Sequence, residues 1–347
     1  MAELLFLTHR LPYPPNKGDK VRSYHLLKHL AARHRVHLGT FIDDPDDAQY
    51  LPIVQGLCAS VHASRLHPRS ARLGSLSGLL RNEPLTLAYY RDAALDAWVR
   101  RLRQSGKLDA VLVFSSSMAQ YAEACTVPLL VDFVDVDSAK WTDYAGAHRW
   151  PMSWLYKREG QTLLSYERTV AARAQHSFFA TEKESALFRG LAPECAGSVG
   201  ALCNGVDVEH FTPSPTRPSP FAAGELPIVF TGAMDYWPNV DAVSWFARDM
   251  LPALRQAWPQ ARFHIVGRSP SAAVRALAGE HVAVSGTVPD VRPYLQHAAA
   301  VVAPLRLARG IQNKVLEAMA MGRPVVAAAA CGEAIDATPG QHFLTAT

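Results

Sequence analysis

The chain has 347 residues, 49% hydrophobic and 19% charged, with a formal net charge of +4. That length exceeds the roughly 100 to 200 residues of one domain, so two globular domains are expected, and so small a cationic excess argues against a nucleic-acid partner. The five cysteines contain no C-x-x-C pair, which argues against a secreted disulfide framework and fits a reducing cytosol. The N-terminal LLFL is too short for a signal-peptide core, and no apolar run approaches the roughly 18 residues of a bilayer span, so any membrane contact is expected to be peripheral.

In chain order, LLFLT (4–8) reads as a strand, and the loop HRLPYPPNKGDKVRS leads to a helix with Val21, Tyr24, Leu27 and Leu30 on one stripe. His25 and His29 on that helix have metal-ligand spacing. They lack a third ligand, and no metal is expected. A second strand, VHLGTFI (36–42), follows. Between Arg65 and Lys107 nine Lys or Arg stand against three acids, and RLHPRSARLGSLSGLLRNEP interleaves cations with Leu66, Leu73, Leu76, Leu79 and Leu80. Two readings stand for this segment: a surface for anionic headgroups or a phosphorylated acceptor, and an ordinary solvated face.

AVLVF (110–114) is the next strand, and Ser115 to Ser117 after it lack the glycines of a nucleophile elbow. PLLVDF (128–133) then carries Asp132 to its C-terminal end, with Asp135 and Asp137 just beyond. These acids read as contacts to an acceptor hydroxyl or sugar, as helix caps, or as a D-x-D metal site. The periodic helix PMSWLYKREGQTLLSYERTVAARA and the strand HSFFAT (176–181) complete a strand-helix alternation that implies a parallel sheet covered on both faces.

TPSPTRPSPFAAGELP, with five prolines and no periodicity, reads as a stiff linker or long surface loop. The alternation restarts with PIVFTG (227–232), ARFHIVG (261–267), HVAVSG (281–286), AAAVVAP (298–304) and RPVVAAA (323–329), and a helix NVDAVSWFARDMLPALRQAW lies among them. Two doubly wound units in tandem are expected to place a ligand cleft between their strand C-terminal ends.

The stretch ARGIQNKVLEAMAMGRPVVA (308–327) concentrates the chemistry. Gly310 would let a ligand approach the backbone, and the N–H groups of Ile311, Gln312, Asn313 and Lys314 at a helix start make an anion site worth about 0.3 to 1 kcal/mol. Arg309 and Lys314 would each add a charge-assisted bond of about 1.5 to 3 kcal/mol to a phosphate. Glu317, one turn on, suits neutral donors such as ribose hydroxyls. In the other reading it pairs with Lys314 at i, i+3 on an exposed face.

This stretch resembles the donor-binding signature of retaining nucleotide-sugar glycosyltransferases of the GT-B fold, through Pro304, Gly310, LEAMA (316–320) and GRPVVA (322–327). The Gly18 loop, CNGVDVEHFTP (203–213), FTGAMDYWPNVDA (230–242), FHIVG (263–267) and SGTVPDVRPYL (285–295) extend it, in order, over nearly the whole chain. The likeness is closest to the sugar transferases associated with bacterial exosortase (PEP-CTERM) exopolysaccharide systems.

The resemblance implies two Rossmann-like α/β domains facing across a cleft: residues 1–195 for the acceptor and 196–347 for the nucleotide-sugar donor. By position, Glu317 would bind ribose, Gly310 to Lys314 the diphosphate and sugar, Arg268 would lie near the base, and the Gly18 backbone would close over the donor. Asp132, Asp135 and Lys314 are the catalytic candidates. Relatives often hold a glutamate where Arg309 stands, and Arg and Lys where TGAMDYWPN has neither; Arg306, Arg309 and Lys314 are the expected compensation. Such chains usually continue with helices returning to the first domain, so the ending HFLTAT reads as a truncation.

The expected function is transfer of a sugar, with retention, from a nucleotide-diphosphate sugar to a glycan or lipid-linked acceptor in exopolysaccharide biosynthesis. It would act in the cytoplasm, peripherally on the membrane, without metal or other cofactor. Competing readings are a catalytically silent nucleotide-sugar binder and an epimerase or phosphorylase on the same fold.

Overall fold

A computed structural model describes residues 1–306, 311–333 and 335–346. The chain divides into two compact units, Met1–Cys203 and Asn204–Thr347.

In unit 1 the strands are β1 (Glu3–Thr8), β2 (Arg35–Ile42), β3 (Ser60–Arg65), β4 (Ala110–Phe114), β5 (Leu129–Val134), β6 (His176–Phe179) and β7 (Val199–Ala201). They form one parallel sheet in the order β3-β2-β1-β4-β5-β6-β7. Its helices are α1 (Gly18–Ala31), α2 (Leu51–Leu57), α3 (Pro68–Ser75), α4 (Ser77–Arg81), α5 (Leu85–Tyr89), α6 (Ala93–Gln104), α7 (Asp137–Ala147), α8 (Met152–Arg173) and α9 (Glu182–Leu191). Leu5, Phe6 and Leu7 are all fully buried. Successive residues of a strand point to opposite faces, so both faces of this sheet are covered.

Unit 2 repeats the plan with β8 (Leu226–Thr231), β9 (Ala261–Val266), β10 (Val282–Gly286), β11 (Ala300–Ala303), β12 (Val325–Ala328) and β13 (Leu344–Ala346), parallel in the order β10-β9-β8-β11-β12-β13. Its helices are α10 (Trp237–Trp245), α11 (Leu251–Ala257), α12 (Ala272–Arg275), α13 (Arg292–Gln296), α14 (Asn313–Ala320) and α15 (Ala329–Gly332). The fold class expected from sequence is therefore the one observed, two parallel-sheet α/β domains. In each sheet the strand order reverses once, between β1 and β4 and between β8 and β11. Open α/β sheets bind ligands beyond the strand C-termini at such a reversal.

The apolar runs predicted as strands are strands. β3, β7 and β13 went unread because they are edge or terminal strands, short or polar, without a continuous apolar run. The helix expected over 239–258 is split into α10 and α11 by a π-turn at Phe246–Met250. Pro252 explains the break, since its ring crowds the carbonyl four residues back and its nitrogen has no proton to donate. The proline-rich segment is a surface loop pinned to α13: the Ser214 N–H donates to Gln296 Oε1 at 2.9 Å, and Gln296 Nε2 donates to the Ser214 carbonyl at 2.7 Å.

Candidate functional site

At the reversal in unit 2, β8 runs into Gly232, whose φ of +156° lies in a region that L side chains rarely adopt. A Cβ on Gly267, just after β9, would lie 1.6 Å from the Gly232 carbonyl oxygen. Only glycine lets the two strand ends meet there. A Cβ on Gly232 would in turn lie 2.8 Å from Asn239 Nδ2.

Asn239, in the first turn of α10, donates through Nδ2 to the Ala233 carbonyl at 2.9 Å. Its Oδ1 is thereby turned to accept from Lys314 Nζ at 3.2 Å, and Gln312 Oε1 accepts from the same ammonium at 3.2 Å. That ammonium also stands 4.9 Å from the centre of the Phe230 ring. Lys314 is the second residue of α14 and only 9% exposed. Its hydrogen-bond partners are neutral amides, and among the described residues no carboxylate lies within ion-pair distance. Burial pushes its ammonium down to about 8, with the nearby Cys331 and Glu317 pulling the other way.

Glu317 lies one turn further along α14. Burial pushes its carboxyl up to about 7, and the Lys314 charge offsets part of the rise. The exposed i, i+3 ion pair is thus not what forms, because Lys314 is buried and turned toward α10. No side chain caps the start of α14, and Asn313 Oδ1 is buried without a hydrogen-bond partner among the described residues. A helix N-terminus with a buried cation beside it is an arrangement that attracts anions.

Arg268 follows Gly267; its backbone carbonyl accepts from the Met234 N–H at 2.9 Å, and its Nε is buried without a partner among the described residues. Ile311 and Gln312 are half-buried ahead of α14. Arg306 is engaged elsewhere: it pairs with Asp241 of α10 and stacks 5.2 Å from the Trp245 ring centre. The expectations on Arg309 and Gly310 lie outside the described residues.

Unit 1 has a different chemistry at the equivalent place. His9 and Arg10 follow β1, and Arg10 donates to Asp43 at 2.8 Å and to Asp19 at 2.8 Å. His9 Nε2 lies 3.3 Å from Asp19, and its ring stacks on Phe114. Burial alone would raise the Asp19 pKa, but His9 and Arg10 hold it far below the usual carboxylate range. Lys20 pairs with Asp47 at 2.5 Å, both buried. Gly18 is the exposed first residue of α1.

Asp132, 1% exposed, takes Arg22 Nε at 2.7 Å on one oxygen and Nη2 at 3.1 Å on the other. Burial pushes its carboxyl up and Arg22 works against that. Asp135 and Asp137 share the Lys140 ammonium at 2.7 and 3.0 Å. Helix α7 is capped by neither; buried Glu167 accepts the Ser138 N–H at 3.3 Å and its hydroxyl at 2.5 Å, and Glu184 accepts the Val136 N–H at 2.7 Å. Val134, at φ +70°, is strained for a β-branched residue at the end of β5.

Sequence reasoning thus singled out Ile311, Gln312, Asn313, Lys314 and Glu317 around the start of α14, together with Arg268 after β9. It missed Asn239, Phe230 and the Gly232–Gly267 contact, and in unit 1 it missed His9, Arg10, Arg22 and Asp43. Position was the available signal, since His9, Arg10 and Asp43 directly follow β1 and β2.

Residues 225–346 match the family model described as Glycosyl transferases group 1. No curated protein matches the chain in sequence. Among solved structures, Anabaena Alr3699/HepE in complex with UDP is similar at a TM-score of 0.67 and 18% identity, over 100% of this chain and 86% of that one. HepE has also been solved with UDP-glucose. Sucrose-phosphate synthase from Thermosynechococcus elongatus gives 0.68 and 17%, over 99% and 86%. WaaG, a glycosyltransferase involved in lipopolysaccharide biosynthesis, gives 0.58 and 17%, over 95% and 82%. At such identities these likenesses speak for a shared GT-B fold.

Proposed function

We propose that this glycosyltransferase, whose group 1 domain occupies residues 225–346, moves a sugar from a nucleotide-diphosphate sugar to a glycan or lipid-linked acceptor. Unit 2 holds the donor and unit 1 the acceptor. Retention of anomeric configuration and a place in exosortase-type exopolysaccharide biosynthesis complete the reading, on the strength of the motif resemblance. The UDP and UDP-glucose bound by HepE make uridine donors the first to try.

The carrying observation is the buried Lys314 ammonium, held by two amide oxygens beside an uncapped helix start. The reaction breaks the bond between the anomeric carbon and a phosphate oxygen and forms one to an acceptor oxygen. Charge builds on the departing diphosphate, and Lys314 with the α14 N–H groups stabilises it there. The acceptor proton passes to a departing phosphate oxygen, so no strong protein base is needed. Glu317 accepts from the ribose hydroxyls, and Arg268 lies by the base. Asp135 and Asp132 orient the acceptor, Asp132 through its hold on Arg22.

No helix among the described residues is long and apolar enough to cross a membrane. The reading places the protein peripherally on the cytosolic face, where a lipid-linked acceptor is presented. Purified protein is to be screened by thermal shift against nucleotide-diphosphate sugars, then assayed for transfer. A stabilising donor, lost in Glu317→Ala with the fold intact, is expected; unchanged nucleotide affinity in that variant would overturn the assignment. A silent binder has one observation in its favour, the engagement of Arg306 by Asp241, which withholds one of the cations expected to serve the diphosphate. Such a protein would bind donor and transfer nothing.

A further inference from the structure

Helices α3 and α4 in unit 1 present their faces the wrong way round for a solvated surface. Ala71, Ser75 and Gly78, at i, i+4 and i+7, turn inward. Leu73, Leu76 and Leu80, also at helical spacing, turn outward and are 73%, 47% and 92% exposed. A helix pair meant for water would reverse that order.

A second apolar group stands at the α7–α8 hairpin. Trp150 is 80% exposed and Trp154 55%, with Tyr144 and Met152 exposed around them. Trp141, Tyr144 and Tyr156 form an aromatic cluster beneath, with ring centres 5.3 to 6.2 Å apart. The hairpin is tightly closed, since a Cβ on Gly160 of α8 would lie 2.6 Å from Thr142 Oγ1 of α7.

The two groups are bolted together. Arg158, one turn after Trp154 on α8, donates to the Gly78 carbonyl at 3.1 Å and to the Glu83 carbonyl at 3.2 Å. Glu159 next to it accepts the N–H groups of Leu85 and Thr86 at 2.7 and 2.9 Å. Trp154, one turn before Arg158, therefore lies on the side of α8 that meets the end of α4.

Charge identifies the occupant. Residues 65–81 hold Arg65, Arg69, Arg72 and Arg81 and no acid, and residues 144–158 hold Arg149, Lys157 and Arg158 and no acid. Exposed leucines and tryptophans on a surface where these cations outnumber the flanking acids, Asp143 and the Arg91-paired Glu83, complement the headgroup layer of an anionic bilayer, in which indole rings and leucines sit at the interface and cations meet phosphates. We infer that the α7–α8 hairpin tip and the α3–α4 pair form one rigid docking face for an anionic phospholipid surface, with Trp150 and Trp154 as its interfacial anchors. This rests on the peripheral-membrane part of the proposed function and adds an element the basic segment alone does not contain.

The test uses the full chain and co-sedimentation with vesicles of phosphatidylcholine alone or of equimolar phosphatidylcholine and phosphatidylglycerol. Wild type should bind the anionic vesicles at least about ten-fold better. Trp150→Ala/Trp154→Ala should weaken that binding about ten-fold at low and high salt alike. Arg69→Gln/Arg72→Gln/Arg81→Gln should remove the salt-sensitive part, about five-fold per arginine. Both variants should keep the wild-type melting temperature and nucleotide response, since the altered side chains are exposed and outside the donor site.

Wild-type binding by the tryptophan variant would overturn the inference, while loss in the arginine variant alone would leave the peripheral reading standing on the basic segment. Absence of wild-type binding to anionic vesicles would overturn both. Self-association of the wild type in sedimentation velocity, abolished by the tryptophan changes without lipid, would assign the face to a second copy of the chain instead.

Discussion

The two sheets share one strand order, yet the chemistry at their points of reversal is opposite. In unit 1 the cations are matched by carboxylates: Arg10 by Asp19 and Asp43, Lys20 by Asp47, Arg22 by Asp132, Lys140 by Asp135 and Asp137. In unit 2 the buried Lys314 has amide oxygens for partners and a proton affinity lowered by burial. A paired cation has its charge answered within the fold. A cation buried without a counter-charge costs the fold stability and is repaid when an anion arrives, which is what a diphosphate seat requires.

That contrast is sharpest under the same substitution in both units. Lys20→Met strands a buried Asp47 carboxylate and should destabilise unit 1 by about 3 to 5 kcal/mol, read by denaturant unfolding. Lys314→Met should weaken nucleotide-diphosphate binding about ten- to a hundred-fold, matching about 1.5 to 3 kcal/mol for a charge-assisted bond, as read by calorimetry. The pH dependence of stability should differ too. The folded pKa of Lys314 is about 8, below its ordinary 10.5, so between those values the unfolded chain holds more protons and stability rises with pH, by about 1 kcal/mol per unit at most. Subtracting the Lys314→Met unfolding curve from the wild-type curve isolates that rise; a flat difference would mean the ammonium is not strained by burial.

Donor affinity should peak between about 7 and about 8. Glu317 ionises on passing the first value and gains the power to accept from ribose hydroxyls, while Lys314 loses its charge above the second. Glu317→Gln should remove the lower limb and leave the upper one. The smallest effect belongs to Arg306→Ala, whose side chain is exposed and held by Asp241; the unfolding midpoint should stay at the wild-type value, and a large loss of nucleotide affinity would show that it leaves Asp241 for the phosphate.

How far the sequence revealed these features follows from their range along the chain. Continuous apolar runs such as LLFLT and PIVFTG announced buried strands, whereas SVHASR at a sheet edge has no such run. Lys314 and Glu317 were legible because both lie on one short helix. Asn239 was not, being 75 residues from the lysine it holds. Asp132 was visible at a strand end, but its partner Arg22 stands 110 residues away, and that pairing changes the acid from a free group to half of a buried ion pair. The leucines at 73, 76 and 80 were conspicuous in sequence, and only the inward turn of Ala71, Ser75 and Gly78 shows which way they face.

Proton uptake on binding tests the role of Lys314 most directly. At pH near 8 roughly half of the free protein has lost the Lys314 proton, and a bound diphosphate should restore it. Titration calorimetry of a nucleotide diphosphate in two buffers of different ionisation enthalpy should therefore show uptake of about half a proton, abolished in Lys314→Met. Binding with no proton uptake, and with unchanged affinity in that variant, would contradict the assignment of this helix start as the diphosphate seat.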